Sequence, residues 1–177
     1  MKGQLRPLLD ADWARLMSAC GTPQRKRPVT SYLSPRFAPV ALIRIAAALA
    51  ANGWKRSAKL FSLLNFLLFG IEVPAHLDIG PGLIIAHTQG TVLGAARIGA
   101  NLTLFHQVTL GAKLADYGYN LELRPTVGDN VTLCVGAKVL GPVSIGDGAV
   151  VGANAVVLND VPPGMLAVGV PAKNITA

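Results

Sequence analysis

The 177-residue sequence contains few cysteines and no long apolar run, and each scarcity excludes a class of protein. Its two cysteines, Cys20 and Cys134, are too few for the disulfide framework of a small secreted domain, so we expect a cytoplasmic protein. Residues 1–20 lack the apolar segment of a signal peptide. The two longest apolar stretches, 39–51 and 60–71, fall short of the ~20 residues that span a bilayer.

Acidic residues are scarce in the first third of the chain. Residues 1–59 contain eleven Lys or Arg against two Asp, whereas residues 60–177 contain five Lys or Arg against seven acidic residues. This asymmetry indicates an anionic partner for the first segment. Nucleic acid is not expected, because no aromatic residues are interleaved with the charges.

Peripheral contact with a membrane surface is favoured for residues 1–70, because apolar segments follow the basic residues. In the alternative, the same segments form helices that pack on each other and on the rest of the protein. Four basic residues are expected at the lipid headgroups if the membrane contact exists: Arg44, Lys55, Arg56 and Lys59.

An aliphatic residue recurs at every sixth position through the second half of the chain. The last series comprises Val127, Leu133, Val139, Ile145, Val151 and Val157. The earlier positions are Val73, Ile79 and Ile85, then, after a slip of one residue, Val92, Ile98, Leu104 and Leu110. A period of six fits neither a helix nor an alternating strand. It predicts a mainly β protein, a parallel β-helix over residues 71–177 whose coils have three faces, preceded by a small α-helical region over residues 1–70.

One segment interrupts the repeat. Leu110 and Val127 are 17 residues apart, which leaves eleven residues beyond one repeat, so segment 112–125 is predicted to loop out of the coils. Loops on a rigid scaffold often carry function. The candidates for substrate binding are Tyr117, Tyr119 and Arg124. A passive insertion is the alternative.

The three histidines, His76, His87 and His106, all lie in the first coils. His87 follows Ile85 by two residues and His106 follows Leu104 by two, so the repeat predicts that they stack on adjacent coils ~4.8 Å apart. His87 is a candidate general base, Glu72 a candidate carboxylate partner and His106 an auxiliary donor. The alternative is that they are surface histidines. No metal site is expected, because no pair of Cys or His has close ligand spacing.

Segment 71–175 resembles the serine acetyltransferase family of left-handed β-helix enzymes. Five segments carry the resemblance: 79–90, 108–111, 135–141, 156–163 and 169–173. The resemblance implies acetyl-CoA as acetyl donor, homotrimers as the basic unit, with a dimer of trimers left open, and active sites between neighbouring subunits. It also implies that His87 is the catalytic histidine and that Glu72 replaces the aspartate that partners it. The positions that match the family's coenzyme site are Gly111, Ala112, Lys113, Ala137, Lys138, Ala172 and Lys173.

The sequence departs from the family pattern at two places. Ala86 stands where the family has Asp, and Leu123-Arg124-Pro125 replaces the Arg-His-Pro that helps to hold serine. The short helical region and Phe69-Gly-Ile-Glu72 are similar to the branch found in exopolysaccharide and colanic-acid gene sets. The favoured function is therefore an acetyl-CoA-dependent O-acetyltransferase acting on a sugar hydroxyl in glycan biosynthesis, at the inner face of the membrane. A serine O-acetyltransferase of cysteine biosynthesis and a non-catalytic assembly subunit are the alternatives.

Overall fold

The computed structural model describes residues 5–23 and 26–176. Within these residues, helices α1 (Leu5–Ala19), α2 (Ala38–Ala51) and α3 (Lys55–Phe69) precede the strands. The strands are β1 (Ile71–Glu72), β2 (Ile84–Ile85), β3 (Thr91–Leu93), β4 (Arg97–Ile98), β5 (Thr103–Leu104), β6 (Thr109–Gly111), β7 (Thr126–Val127), β8 (Thr132–Leu133), β9 (Lys138–Leu140), β10 (Ser144–Ile145), β11 (Val150–Val151), β12 (Val156–Val157), β13 (Met165–Gly169) and β14 (Ala172–Thr176). Short 3-10 helices lie at Val29–Leu33 and Leu121–Leu123.

The strands stack into three sheets that form the faces of a prism. The strand orders are β1-β3-β6-β9-β12 for sheet A, β10-β7-β4 for sheet B and β14-β13-β11-β8-β5-β2 for sheet C. All pairings are parallel except the terminal hairpin β13–β14. Because consecutive strands from β1 to β13 belong to different sheets, the chain winds around the prism, and the predicted β-helix is confirmed.

The aliphatic residues of the repeat fill the interior of the prism. Leu104, Leu110, Leu133 and Val139 are fully buried, and Leu104 pairs with both Ile85 and Leu133 in sheet C. Burial of these apolar side chains is the main stabilising contribution, at about 25 cal/mol per Å² of apolar surface removed from water.

One position of the predicted repeat is wrong. Val92 is only half-buried and pairs with Glu72 on the outside of sheet A, whereas Leu93 is fully buried and pairs with Leu110. The corner before β3 therefore contains two extra residues, and the following corner is one residue shorter. The aliphatic Val92 next to Leu93 hid this shift in the sequence.

A buried ion pair joins the helices to the first coil. The Arg44 Nε on α2 donates to Asp12 Oδ2 at 2.8 Å, and the Arg44 guanidinium also donates to the carbonyls of Ile79 and Gly80. The Asp12 carboxylate on α1 accepts in turn from the backbone N–H groups of Gly82 and Leu83 at 2.8 Å. The expectation of Arg44 at lipid headgroups is therefore wrong, because its guanidinium is buried and paired with Asp12 inside the protein.

Helices α2 and α3 pack against each other, and α3 leads directly into β1 through Gly70, whose φ of 63° lies in the left-handed region that favours glycine. Asn65 is buried against α2 and donates to the carbonyl of Pro39. Across residues 5–23 and 26–176, none of the helices combines the length and the apolar character needed to cross a bilayer.

Candidate active site

The structure brings His87 and His106 together at the corner between sheets C and A. Their rings meet edge to face, with centroids 5.5 Å apart and an angle of 83° between the planes, which confirms the predicted stacking. His87 is exposed, whereas the Nδ1 of His106 is buried and has no hydrogen-bond partner among the described residues. A buried polar atom without a partner is costly, so a bound group that completes its hydrogen bonding would be stabilised here.

The backbone beside His106 adopts an unusual conformation. Gln107 has a φ of 59°, in the left-handed region, whereas the stacked residues Gly90 and Gly136 are glycines. The Gln107 N–H donates to the carbonyl of Gln89 at 3.0 Å, and its carbonyl accepts from the Lys138 Nζ. Non-glycine residues that are neither Asn nor Asp are uncommon at such a φ, and strain of this kind clusters at functional sites.

The structure does not bring Glu72 to His87. In the described part of the chain, the Glu72 carboxylate makes no ion pair and no hydrogen bond to either histidine of the pair. It lies on the outside of sheet A and lines a groove with Lys55, Lys59 and His76, between the helices and the first coil. The expected Glu72–His87 dyad is therefore not formed within this single chain.

Cys134 lies on the coil next to that of His106. The N–H of Phe105, which precedes His106, donates to the carbonyl of Leu133, which precedes Cys134. Burial raises the pKa of the Cys134 thiol above its ordinary value, so the thiol stays protonated at neutral pH. This disfavours a thiolate nucleophile, and the two histidines suit proton transfer better than a covalent intermediate.

Arg124 organises the loop 112–125 from inside. Its Nη2 donates to Asp116 Oδ2 at 2.8 Å, its Nη1 donates to the carbonyl of Gly94, and its guanidinium stacks over the Tyr119 ring at 3.7 Å. The edge of the Tyr119 ring in turn meets His76, with centroids 4.5 Å apart. Three of the guanidinium's contacts are thus made by the protein itself, so Arg124 holds the loop in place.

The two tyrosines of the loop differ in environment. Tyr119 donates from its hydroxyl to the carbonyl of Ala95 at 2.9 Å, and burial raises the pKa of its phenol, which keeps that donor protonated. Tyr117 is fully exposed. Of the predicted substrate-binding residues, Tyr117 alone therefore has a side chain that is not engaged by the described residues.

The loop and the histidine pair lie on opposite edges of sheet A. The loop contacts Gly94 and Ala95, which follow β3, whereas His87 precedes β3 and His106 precedes β6. A ligand that touches both must therefore reach across the whole sheet or bind between two copies of the chain.

The expected coenzyme positions follow sheet A and the terminal hairpin. Gly111 and Ala112 are half-buried where β6 ends, and the exposed Lys113 lies against Gly141. Lys138 reaches the carbonyl of Gln107, and Ala172 and Lys173 lie on β14.

Ala137 does not belong to that surface. Its side chain is fully buried, its N–H donates to Cys134 and its carbonyl accepts from Thr109. The expectation for Ala137 is therefore corrected, because it points into the prism. Within the described ranges, no three His, Cys, Asp or Glu side chains cluster closely enough to hold a metal ion.

Sequence reasoning missed Gln107 and Asp116. Gln107 follows His106 directly in the sequence. That its backbone adopts a left-handed conformation could be found only from the register of the stacked coils. Asp116 carries a weaker signal, since it is an acid within the same loop as Arg124.

The model of bacterial transferase hexapeptide, with six repeats, matches residues 124–159. The serine acetyltransferase of Helicobacter pylori is 41% identical over 145 residues, which cover 81% of this chain and 83% of that protein. A protein of Mycobacterium tuberculosis also named serine acetyltransferase is 40% identical, and the match covers 69% of this chain but only 54% of that protein.

Solved structures agree over almost the whole chain. The serine acetyltransferase of Neisseria gonorrhoeae superposes with a TM-score of 0.84 at 30% identity, covering 98% of this chain and 66% of that one. A serine acetyltransferase in complex with CoA superposes with a TM-score of 0.80 at 25% identity, covering 97% of this chain and 70% of that one. The present chain is thus shorter than these solved relatives.

Proposed function

Because the chain belongs to the serine acetyltransferase family of hexapeptide-repeat transferases, we propose that it transfers the acetyl group of acetyl-CoA to the hydroxyl of L-serine. Its fold is the left-handed β-helix of that family, and it is an acetyl-CoA-dependent acyltransferase. The observation that carries the serine assignment is the 41% identity with a serine acetyltransferase over 83% of that relative's length.

The expectation of a sugar acceptor in glycan biosynthesis is wrong. Relatives with 38–41% identity are named serine acetyltransferases, and so are the similar solved structures. The replacement of Arg-His-Pro by Leu123-Arg124-Pro125 had favoured a sugar over serine. In the structure Arg124 pairs with Asp116 and stacks on Tyr119, so it stabilises the loop from inside. Its presence in this motif does not by itself exclude serine as the acceptor.

The chemistry we propose is direct transfer. The imidazole of His87 takes the proton from the serine hydroxyl as the hydroxyl oxygen attacks the thioester carbonyl. His106 donates a hydrogen bond near the oxyanion that develops on the carbonyl oxygen. The carbon–sulfur bond then breaks, and the imidazolium of His87 returns the proton to the leaving sulfur. The products are O-acetylserine and CoA, with no covalent enzyme intermediate.

We propose that this site is completed between subunits. The hexapeptide-repeat fold typically forms trimers. The loop 112–125 lies on the edge of sheet A opposite to the histidines, so a neighbouring subunit is the more direct source of a loop facing them. Glu72 remains the proposed carboxylate partner of the imidazolium, reached by rotation of its exposed side chain or supplied by the neighbour.

Acetyl-CoA would bind along the outer surface of the coils. Gly111 and Ala112 would flank the pantetheine arm, and cationic side chains suit its phosphates. The proposed cations are Lys113, Lys138 and Lys173. In the same proposal Ala172 lies toward the adenine end.

The direct test is an acetyl-transfer assay that follows CoA release with L-serine and with a panel of free and lipid-linked sugars. We expect saturable turnover with L-serine and only background hydrolysis with the sugars. L-Serine turnover no faster than hydrolysis by water would contradict the assignment, and D-serine or L-alanine serve as matched controls that lack the correct geometry or the hydroxyl.

Replacement of Gln107 by glycine should raise the thermal stability of the protein and lower its rate of acetyl transfer. Glycine adopts the observed φ of 59° without strain, so the unfolding midpoint should rise. The carboxamide beside His106 would be lost, and kcat/KM should fall by about tenfold, equivalent to ~1.4 kcal/mol. Thermal unfolding and steady-state kinetics measure the two effects.

The matched control is Asn154→Gly, which has a φ of 56° and lies on the same corner two coils further along the prism than Gln107. It should leave kcat/KM unchanged. Equal kinetic effects of the two glycine substitutions would show that Gln107 has no special relation to the site.

A further inference from the structure

We propose that the outer face of α3 is a docking surface for an anionic lipid bilayer. The face consists of Arg56, Leu60, Leu63 and Leu67, spaced as successive turns of a helix, with Lys59 and Phe66 beside them. The four apolar members are each at least half exposed on the described chain. The opposite side of α3, at Ala58 and Asn65, packs on α2.

The charges next to this face favour a lipid surface over a protein partner. Lys55, Arg56 and Lys59 occupy the first turns of α3, are exposed and make no ion pair among the described residues. Trp54, also exposed, stands at the same end of the helix. Basic residues with a Trp at one end of an apolar stripe are typical of a helix that lies in the interface of a membrane.

The wider charge distribution agrees with this choice. Residues 13–71 contain nine Lys or Arg and not one Asp or Glu, and Glu72, which follows the segment, shares the groove with Lys55 and Lys59. Three of these cations are engaged within the protein: Arg44 with Asp12, Arg15 with the carbonyls of Gly82 and Leu102, and Arg27 with Asp10. The attraction therefore rests chiefly on Lys55, Arg56 and Lys59 of α3.

The position of α3 allows several copies to act together. Helices α1 and α2 bond to residues 79–83 of the first coil, and α3 continues into β1, so the helical layer lies at one end of the prism. In a trimer of side-by-side β-helices, three such layers share that end. Three weak contacts on one rigid body raise the overall affinity far above that of one.

Vesicle co-sedimentation of the full chain tests this proposal. We expect binding to vesicles with 30% phosphatidylglycerol in phosphatidylcholine, little binding to phosphatidylcholine alone, and loss of binding at 500 mM NaCl. Each basic residue contributes about fivefold to the partition coefficient, so the triple variant Lys55→Gln, Arg56→Gln, Lys59→Gln should bind on the order of a hundredfold more weakly. The double variant Leu63→Glu, Leu67→Glu should also lose binding.

The control variant is Leu33→Glu with Ile175→Glu, two exposed apolar residues outside α3, and it should bind like the wild type. Acetyl transfer without vesicles should be the same in the wild type and in the Leu63→Glu, Leu67→Glu variant, so failure of lipid binding is separate from failure of the proposed activity. Absence of binding, or binding unchanged by the α3 variants, would overturn the proposal. So would light scattering that shows wild-type trimers pairing through this face and α3 variants separating them.

Discussion

Replacing His87 with alanine should lower kcat/KM for acetyl transfer by about 10²- to 10⁴-fold, the contribution usual for a positioned general base. The imidazole of His87 is exposed at the corner between sheets C and A, where a hydroxyl can reach it, and no other described base except His106 contacts it. Steady-state CoA release with saturating acetyl-CoA and varied L-serine measures the effect.

Two further histidine substitutions make this result specific. His106→Ala should reduce the rate less than His87→Ala, because its proposed role is to donate a hydrogen bond rather than to move the proton. His76→Ala removes the third histidine, which contacts Tyr119 rather than the pair, and should cost less again. All three should keep the wild-type mass in solution and a similar unfolding midpoint. A His87→Ala enzyme within a few-fold of wild type would exclude the base assignment.

Replacing Arg44 with leucine should lower the free energy of unfolding by about 3–5 kcal/mol, because it leaves a buried carboxylate without its cation. Asp12 is fully buried, and without Arg44 its remaining partners are the N–H groups of Gly82 and Leu83. The carbonyls of Ile79 and Gly80 also lose a donor. Urea unfolding at fixed protein concentration measures the loss.

The double variant Asp12→Ala, Arg44→Leu should be less destabilised than the sum of the two single variants, since each single change strands the other charge. Arg97→Ala is the matched control, because the Arg97–Asp78 pair is exposed and 3.9 Å apart and should contribute less than about 1 kcal/mol. Equal losses for Arg44→Leu and Arg97→Ala would show that the buried network does not hold the helices to the coils.

The sequence alone determined the β-helix. A coil with three flat faces requires an inward aliphatic residue on each face, so residues such as Leu133, Val139 and Ile145, one in each sheet, recur at every sixth position. The same spacing predicted that His87 and His106 stack, because parallel strands carry equivalent residues to equivalent places. The slip at Val92 was misjudged because two aliphatic residues stand side by side and either satisfies the pattern.

Only the tertiary structure decided where the charges go. Asp12 and Arg44 are 32 residues apart, and no local pattern shows that their side chains meet inside the protein. Arg124 is a basic loop residue in the sequence, and its partner Asp116 and its stacking on Tyr119 depend on how the loop folds back. The spacing of buried aliphatic residues depends on residues close together in the sequence, so the sequence alone predicts it. The partner of a single charged side chain depends on contacts between distant segments, so only the tertiary structure identifies it.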